Sequence, residues 1–283
     1  MPAQLLVLHF VSSLLPLSLK ITEKTYTLEG KNMAAAHRFT RTEIMLGTTG
    51  LETLRRSRVT ICGVGGVGSY AAEALGRGGV GSITLIDFDK ICVTNINRQL
   101  HALDTTVGLP KVEVMAERLL LINPEAEISA LNEFICDDNL ERLLTPRPDF
   151  VLDAIDHFTS KAALIIWCRT HGIPVISSMG AATKRDPSKI HVTDISKTHS
   201  CRMARSLRKI LKQKGISSGV EVVYSTEEFN SSSIAEPAAQ EQENCTGIKK
   251  RVTLGSVSFI PSIFGLTMAG VVINKLLDKD VTT

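Results

Sequence analysis

"RVTICGVGGVGSYAAEALGRGG" (residues 58–79) decides the fold. Its opening, Arg58 to Cys62, is β-branched and apolar and reads as a strand. Gly63, Gly65, Gly66 and Gly68 follow, spaced as G-x-G-x-x-G with one extra glycine. "SYAAEALGRGG" then has helix-forming residues and stops at Gly78 and Gly79. A strand that turns through glycines into a helix is the start of a nucleotide-binding βαβ unit. Without Cβ atoms the backbone can approach a phosphate, and the helix offers unpaired N–H groups and the positive end of its dipole.

Outward from this stretch, helix and strand alternate. "EIMLGTTGLETLRRS" before it predicts one or two short helical turns. After it come the strand "SITLIDFD" and the helix "GLPKVEVMAERLLLINP", opening near Pro110 and closing before Pro124. "AEISAL", "FVLDAI" and "IPVISS" are further short apolar strands, with helices such as "SKAALIIWCRTHG" between them. The expected class is α/β: a doubly wound, mainly parallel, Rossmann-like sheet with a C-terminal strand–helix extension. Residues 37–224 would form the nucleotide-binding domain and 225–247, polar and aperiodic, a flexible loop. Residues 248–283 would add a strand and a helix to the same domain. Val252 to Ile273 carry no charge, but Gly255, Pro261, Gly265 and Gly270 interrupt them. A helix buried against the sheet is therefore expected, with membrane association through 252–273 as the minor alternative.

Composition narrows the class. At 283 residues, 43% hydrophobic and 22% charged, the chain has the make-up of a globular domain with a sizeable core. A formal net charge of +3 implies no polyanion partner, so any nucleic-acid surface must be local. The six cysteines include no CxxC pair, which argues against a zinc ribbon and a disulfide framework and fits a reducing cytoplasm. "LLVLHFVSSLLPLSL" (5–19) lacks a charged start and is too short to span a bilayer. With Met33 downstream as an alternative start, residues 1–36 are expected to be a disordered or spurious extension.

The glycine turn alone would suit a nicotinamide-dependent dehydrogenase. Asp87, nineteen residues beyond Gly68 at the end of a strand, is placed for ribose hydroxyls, with Asp89 beside it. The following run departs from that reading. Asn95, Arg98 and Gln99 come next, and Lys111 opens a helix. A dinucleotide pyrophosphate needs few cations, whereas Arg98 and Lys111 supply two, enough to point to a triphosphate. "LDAIDHF" puts Asp153 and Asp156 at another strand end, where a carboxylate can hold Mg²⁺. Singly, each is an ordinary surface charge or helix cap; together they describe an ATP site.

These motifs, GVGGVGS, DFD with NINRQ, GLPK and DAID, resemble the ubiquitin-activating-type adenylating family. The resemblance implies attack of a carboxylate on the α-phosphate of ATP. It assigns Asp87 to ribose, Arg98 and Lys111 to phosphates, Asp156 to magnesium, and Asn95 and Gln99 to the phosphate pocket. "RFTRT" is similar to the segment whose second arginine reaches a partner subunit's ATP, which would make Arg41 act across a homodimer. The paired CxxC motifs of sulfur-carrier members are missing, so no zinc is expected. "DAIDHFTSKAALIIWCRTHGIPVISSMGA" and "KIHVTDISKTHSCRMARSLRKIL" instead look like the tRNA threonylcarbamoyladenosine dehydratase branch. That implies ATP-dependent activation and cyclisation of a threonyl carboxylate on tRNA. The alternative is adenylation of a ubiquitin-like sulfur carrier's C-terminus. ATP and Mg²⁺ are the implied cofactors; tRNA and sulfur-transfer proteins are among the implied partners.

One further segment supports a tRNA substrate. From Lys197 to Lys214, both included, there are seven Lys or Arg and no acid. In the expected helix 199–214, Arg202, Arg205, Arg208, Lys209 and Lys212 are candidates for a phosphate backbone, opposite Met203, Leu207, Ile210 and Leu211. No aromatic residue interleaves with them, so no base stacking is expected there. Cys201 and Cys245 are expected to be surface thiols without a catalytic role.

Overall fold

Seven strands pair in the order β3-β2-β1-β4-β5-β7-β6. They are β1 (Arg58–Cys62), β2 (Ser82–Ile86), β3 (Glu127–Leu131), β4 (Phe150–Asp153), β5 (Val175–Ser178), β6 (Ile190–Asp194) and β7 (Glu221–Ser225). Neighbours run parallel except β6 against β7. The computed structural model describes residues 36–229 and 254–279. From Arg38 onward the chain forms one compact unit. The extension expected over 1–36 lies almost wholly outside the described residues, as does the loop from residue 230.

Sheet order follows from the residues. Val59, Ile61, Leu85, Val151, Leu152 and Ile176 are fully buried because helices cover both faces, so the central strands are continuous apolar runs. The helices are α1 (Thr40–Arg56), α2 (Gly68–Gly78), α3 (Lys111–Ile122), α4 (Leu140–Leu143), α5 (Phe158–Thr170), α6 (Arg202–Gln213) and α7 (Phe259–Lys279). β1 has β2 on one side and β4 on the other, so the direction of winding reverses there and a crevice opens at its carboxyl end. The glycine turn leaves β1 at that point.

The segment read as one or two short helical turns forms two helical pieces within α1, joined at Gly47 (φ 75°, ψ 167°), where a left-handed backbone suits glycine. β7, for which no strand was expected, fills the sheet between β5 and β6. Much of the strand expected between residue 248 and α7 lies outside the described residues; from Leu254, which makes an isolated bridge, the chain runs into the helix.

α7 completes the main core. Ile260, Phe264, Met268, Ala269, Val272 and Leu276 join Leu75 and Ile61 in one buried cluster. Phe259–Asp278, with mean hydropathy 1.6, is long and apolar enough to cross a membrane by length and composition. Here its apolar face packs on α2 instead. A Cβ on Gly265 would sit 2.2 Å from the Val67 carbonyl, so only glycine permits this approach.

Candidate functional site

The glycine turn is locked by its own geometry. Gly63 (φ 89°) lies so near the Ala154 backbone that a Cβ would come within 2.7 Å of its carbonyl. A Cβ on Gly68 would come within 1.8 Å of the Gly63 carbonyl. Gly65 and Gly66 face the 95–99 run: their Cβ positions lie 3.9 Å from Gln99 Nε2 and 3.3 Å from the Arg98 carbonyl. The turn is thus folded onto the residues expected to share a phosphate with it.

Asp87 fastens this turn. Its Oδ2 accepts the Val64 N–H at 2.6 Å and its Oδ1 the Asp89 N–H at 2.9 Å. Each oxygen keeps a lone pair for a ribose hydroxyl. Burial raises its carboxyl pKa above the usual value. The Lys111 charge and the two backbone donors oppose that shift, and the neighbouring Asp89 charge adds to it. Lys111 Nζ lies 2.6 Å from Asp89 Oδ2 in a largely buried ion pair. The lysine predicted to meet phosphates is therefore held at the end of β2 by a carboxylate.

The 95–99 run splits into structural and open groups. Asn95 is buried, its Oδ1 accepting the Cys92 N–H at 3.1 Å, so it shapes the turn. Arg98 Nη1 donates to the Thr94 carbonyl at 2.7 Å and to Asn97 Oδ1 at 3.0 Å. Gln99 is buried, yet its Oε1 has no hydrogen-bond partner. Such an orphaned acceptor against a glycine turn fits a site completed by a ligand's donor. His101 is also buried with both ring nitrogens unpartnered. Its pKa falls to about 3, because burial and the nearby Lys111 and Arg118 charges oppose protonation.

On the other side of β1, Asp153 and Lys161 form a second, fully buried pair at 2.8 Å. Lys161 Nζ also donates to Ser177 Oγ (3.1 Å) and the Ser178 carbonyl (3.0 Å). Asp153 accepts from the Ser177 hydroxyl at 2.6 Å and the Ile155 N–H at 3.1 Å. Asp153 is thus structural and clamps the loop that carries Asp156, which is exposed. The spacing could have hinted at this pair: a lysine eight residues after a strand-end aspartate, inside an apolar helix. A single exposed carboxylate is an adequate Mg²⁺ ligand when substrate phosphates supply the rest. Among the described residues, no three His, Cys, Asp or Glu side chains converge.

The remaining candidates lie elsewhere. Phe39 packs by Gly79, and Arg38 Nη1 donates to the Ile122 carbonyl at 2.7 Å, at the ends of α2 and α3 remote from the glycine turn. Arg41, exposed in the first turn of α1, is therefore not brought to the site of its own chain. On α6, Arg202, Arg205, Lys209 and Lys212 are exposed and form a stripe, while Ala204, Leu207 and Leu211 are buried. Arg208 turns inward and donates to the Thr198 carbonyl at 3.0 Å, holding the turn before the helix. Cys201 is buried, which corrects the expected surface thiol; Cys245 lies outside the described residues. Burial first, and the Asp153 carboxylate second, raise the pKa of Cys62 and Cys168, the latter to about 12, so neither supplies a thiolate.

Comparison with known proteins bears on this arrangement. The sequence pattern of the ThiF family matches residues 39–283. The tRNA threonylcarbamoyladenosine dehydratase of Bacillus subtilis (strain 168) is 45% identical over 247 residues, covering 87% of this chain and 96% of that protein. The crystal structure of the Escherichia coli tRNA N6-threonylcarbamoyladenosine dehydratase, TcdA, in complex with ATP superposes with a TM-score of 0.76. It shares 37% identity, with 87% of this chain and 96% of that one covered. The molybdopterin-synthase adenylyltransferase of Escherichia coli (strain K12) is 39% identical over 137 residues, 48% of this chain and 54% of that protein.

Proposed function

The chain belongs to the ThiF family, and from that premise we propose that it is an ATP-dependent tRNA threonylcarbamoyladenosine dehydratase. One observation carries the choice within the family: similarity to the Bacillus dehydratase runs over nearly the whole of both chains, basic helix included. Similarity to the adenylyltransferase stops at about half of each.

In this reading the substrate carboxylate attacks the α-phosphorus of ATP and the bond to pyrophosphate breaks. A nucleophile already on the substrate then attacks the activated acyl carbon, closes a ring and expels AMP, which carries away the carboxylate oxygen. No enzyme nucleophile is required. The glycine turn receives phosphate oxygens on its N–H groups, and Arg98 and Lys111 neutralise charge as pyrophosphate departs. Asp89 holds Lys111 in place until then. Asp156 would hold Mg²⁺, which supplies Lewis-acid stabilisation of the phosphates. Gln99 and Asn95 line the pocket, and Asp87 and Asp89 face the ribose.

The stripe Arg202, Arg205, Lys209 and Lys212 would meet the tRNA backbone, with Arg208 contributing through the turn it holds. A homodimer with Arg41 reaching the partner's nucleotide, a cytoplasmic location, and assistance from sulfur-transfer proteins complete the proposal. Its test is incubation of threonylcarbamoyl-modified tRNA with ATP, Mg²⁺ and the protein, followed by mass analysis of the nucleoside. An ATP-dependent loss of one water is the expected result. An unchanged nucleoside, with a diglycine-ended carrier becoming adenylated, would establish the sulfur-carrier reading that the local match favours. Reversing Arg202, Arg205 and Lys209 to Glu should spare ATP binding. It should also flatten the salt dependence of tRNA binding by roughly one unit of slope per lost contact.

A further inference from the structure

Thr183, in the loop that follows β5, holds a backbone conformation that its own side chain opposes. Its φ is 61°, in the left-handed region, where a β-branched residue is crowded by its own chain. Ser200 (φ 55°) is the other non-glycine residue of this kind among the described residues, but it is unbranched and less buried. The Thr183 hydroxyl serves nothing within the fold. The residue is only 6% exposed, and its Oγ1 has no hydrogen-bond partner. A strained backbone and an orphaned buried hydroxyl each cost stability, and at one residue they point to a role outside folding.

The surroundings hold Thr183 in this state and set it beside the cleft. Its N–H donates to the Gly255 carbonyl at 2.8 Å, and Asn97 Nδ2 donates to the next carbonyl, that of Ser256, at 3.0 Å. The loop is therefore one peptide unit removed from the run that carries Arg98 and Gln99. On its other side, Lys184 Nζ donates to the Glu227 carbonyl. The Glu227 carboxylate accepts the N–H groups of Arg185 at 2.9 Å and Asp186 at 2.8 Å. The groups assigned to ribose and phosphates stand at β1 and β2, whereas Thr183 follows β5, beyond β4 in the sheet.

We propose that the Thr183 hydroxyl belongs to a subsite for the acyl substrate, where it donates a hydrogen bond to the reacting carboxylate and turns it toward the α-phosphorus. This rests on the functional reading above, in which the carboxylate approaches in line with the departing pyrophosphate and from the opposite side. A hydroxyl held by a clamped loop suits that task, because it fixes the attacking group before the bond forms. Neighbouring amide or hydroxyl groups of the substrate can donate to its free lone pairs.

The test uses three variants. Thr183→Val keeps shape and strain but removes the hydroxyl; Thr183→Gly removes hydroxyl and strain together; Thr183→Ser keeps the hydroxyl. Calorimetry gives Kd for ATP–Mg²⁺, and the cyclisation assay at saturating ATP gives kcat/KM for the modified tRNA. Thr183→Val should melt at or above the wild-type temperature, since a methyl replaces an unsatisfied polar group. Both hydroxyl-free variants should keep the wild-type Kd for ATP. Their kcat/KM should fall about 10- to 100-fold, as for a lost hydrogen bond to a charged acceptor, with Thr183→Ser close to wild type. Full kcat/KM in either hydroxyl-free variant, or an equal loss in all three, overturns the subsite. A raised Kd for ATP would place the hydroxyl against the nucleotide and overturn it as well. A wild-type protein that binds ATP but leaves the nucleoside unchanged overturns the functional reading and the subsite with it.

Discussion

Two lysine–aspartate pairs stand at strand ends on either side of β1, and they differ in everything but composition. Lys161 and Asp153 are sealed from solvent, and the ammonium has three partners: a carboxylate, a hydroxyl and a carbonyl. Lys111 and Asp89 retain some exposure, chiefly at the carboxylate, and the Lys111 ammonium meets Asp89 Oδ2 at 2.6 Å. A fully satisfied buried pair fixes a loop, because any displacement leaves a charge stranded. A pair with spare hydrogen-bonding capacity at the rim can exchange its partner for a phosphate. The same two residue types thus serve rigidity at β4 and exchange at β2.

Removing one member of each pair separates these roles. Asp153→Ala should have the largest effect, costing about 3–5 kcal/mol of stability because the buried Lys161 loses its carboxylate partner. Urea unfolding measures it; a loss below about 1 kcal/mol would mean that the two pairs are not different in kind. Lys111→Ala should cost less in urea unfolding than Asp153→Ala, because the Asp89 carboxylate it leaves behind is 18% exposed. Pyrophosphate release should drop about 100- to 1,000-fold, as expected when a group that stabilises developing charge is removed. Near-normal turnover would place phosphate recognition elsewhere.

Acid stability sharpens the comparison, since His101 lies in the field of Lys111 and not of Lys161. Its folded pKa, about 3, is below the ordinary value of 6.5. Between these values the unfolded chain binds a proton that the folded chain refuses, so stability rises with pH through that window and falls on acidification from neutrality. The loss from pH 7 to pH 5 should be on the order of 2 kcal/mol. His101→Phe should flatten that limb. An unchanged slope in the variant would show that another group, such as a carboxylate paired in the fold, governs acid unfolding.

Much of this was legible in the chain. The strand–glycine–helix stretch placed β1 and α2 and their stop at Gly79, and Pro110 marked the start of α3. That Lys111 would stand near Asp87 was legible from spacing, because strand ends in such sheets point into one crevice. Other features depend on partners that spacing does not specify. That both Asp87 oxygens hold backbone N–H groups follows from the closeness of the glycine turn, and the Asp153–Lys161 clamp from α5 folding back over β4. The short helical turns read before β1 are the two pieces of α1 on either side of Gly47, and the second is held because Leu51 and Leu54 are drawn into the core. β7 was missed although "VEVVYS" is rich in β-branched residues, because the polar tract beginning at Ser225 drew its edge into the loop.

The packing of α7 bears on when the protein can work. Pro261 lies against Gly66 and Gly265 against Val67, so the turn that would receive phosphate is braced by α7, far downstream in the chain. On a nascent chain β1 and α2 emerge well before α7 and lack this support until it follows. Because the contact spans nearly the whole domain, its formation is among the most entropically delayed. The unfinished polypeptide would thus be a poor competitor for cellular nucleotide. Emergence of α7, rather than appearance of the glycine motif, would mark the birth of the binding site.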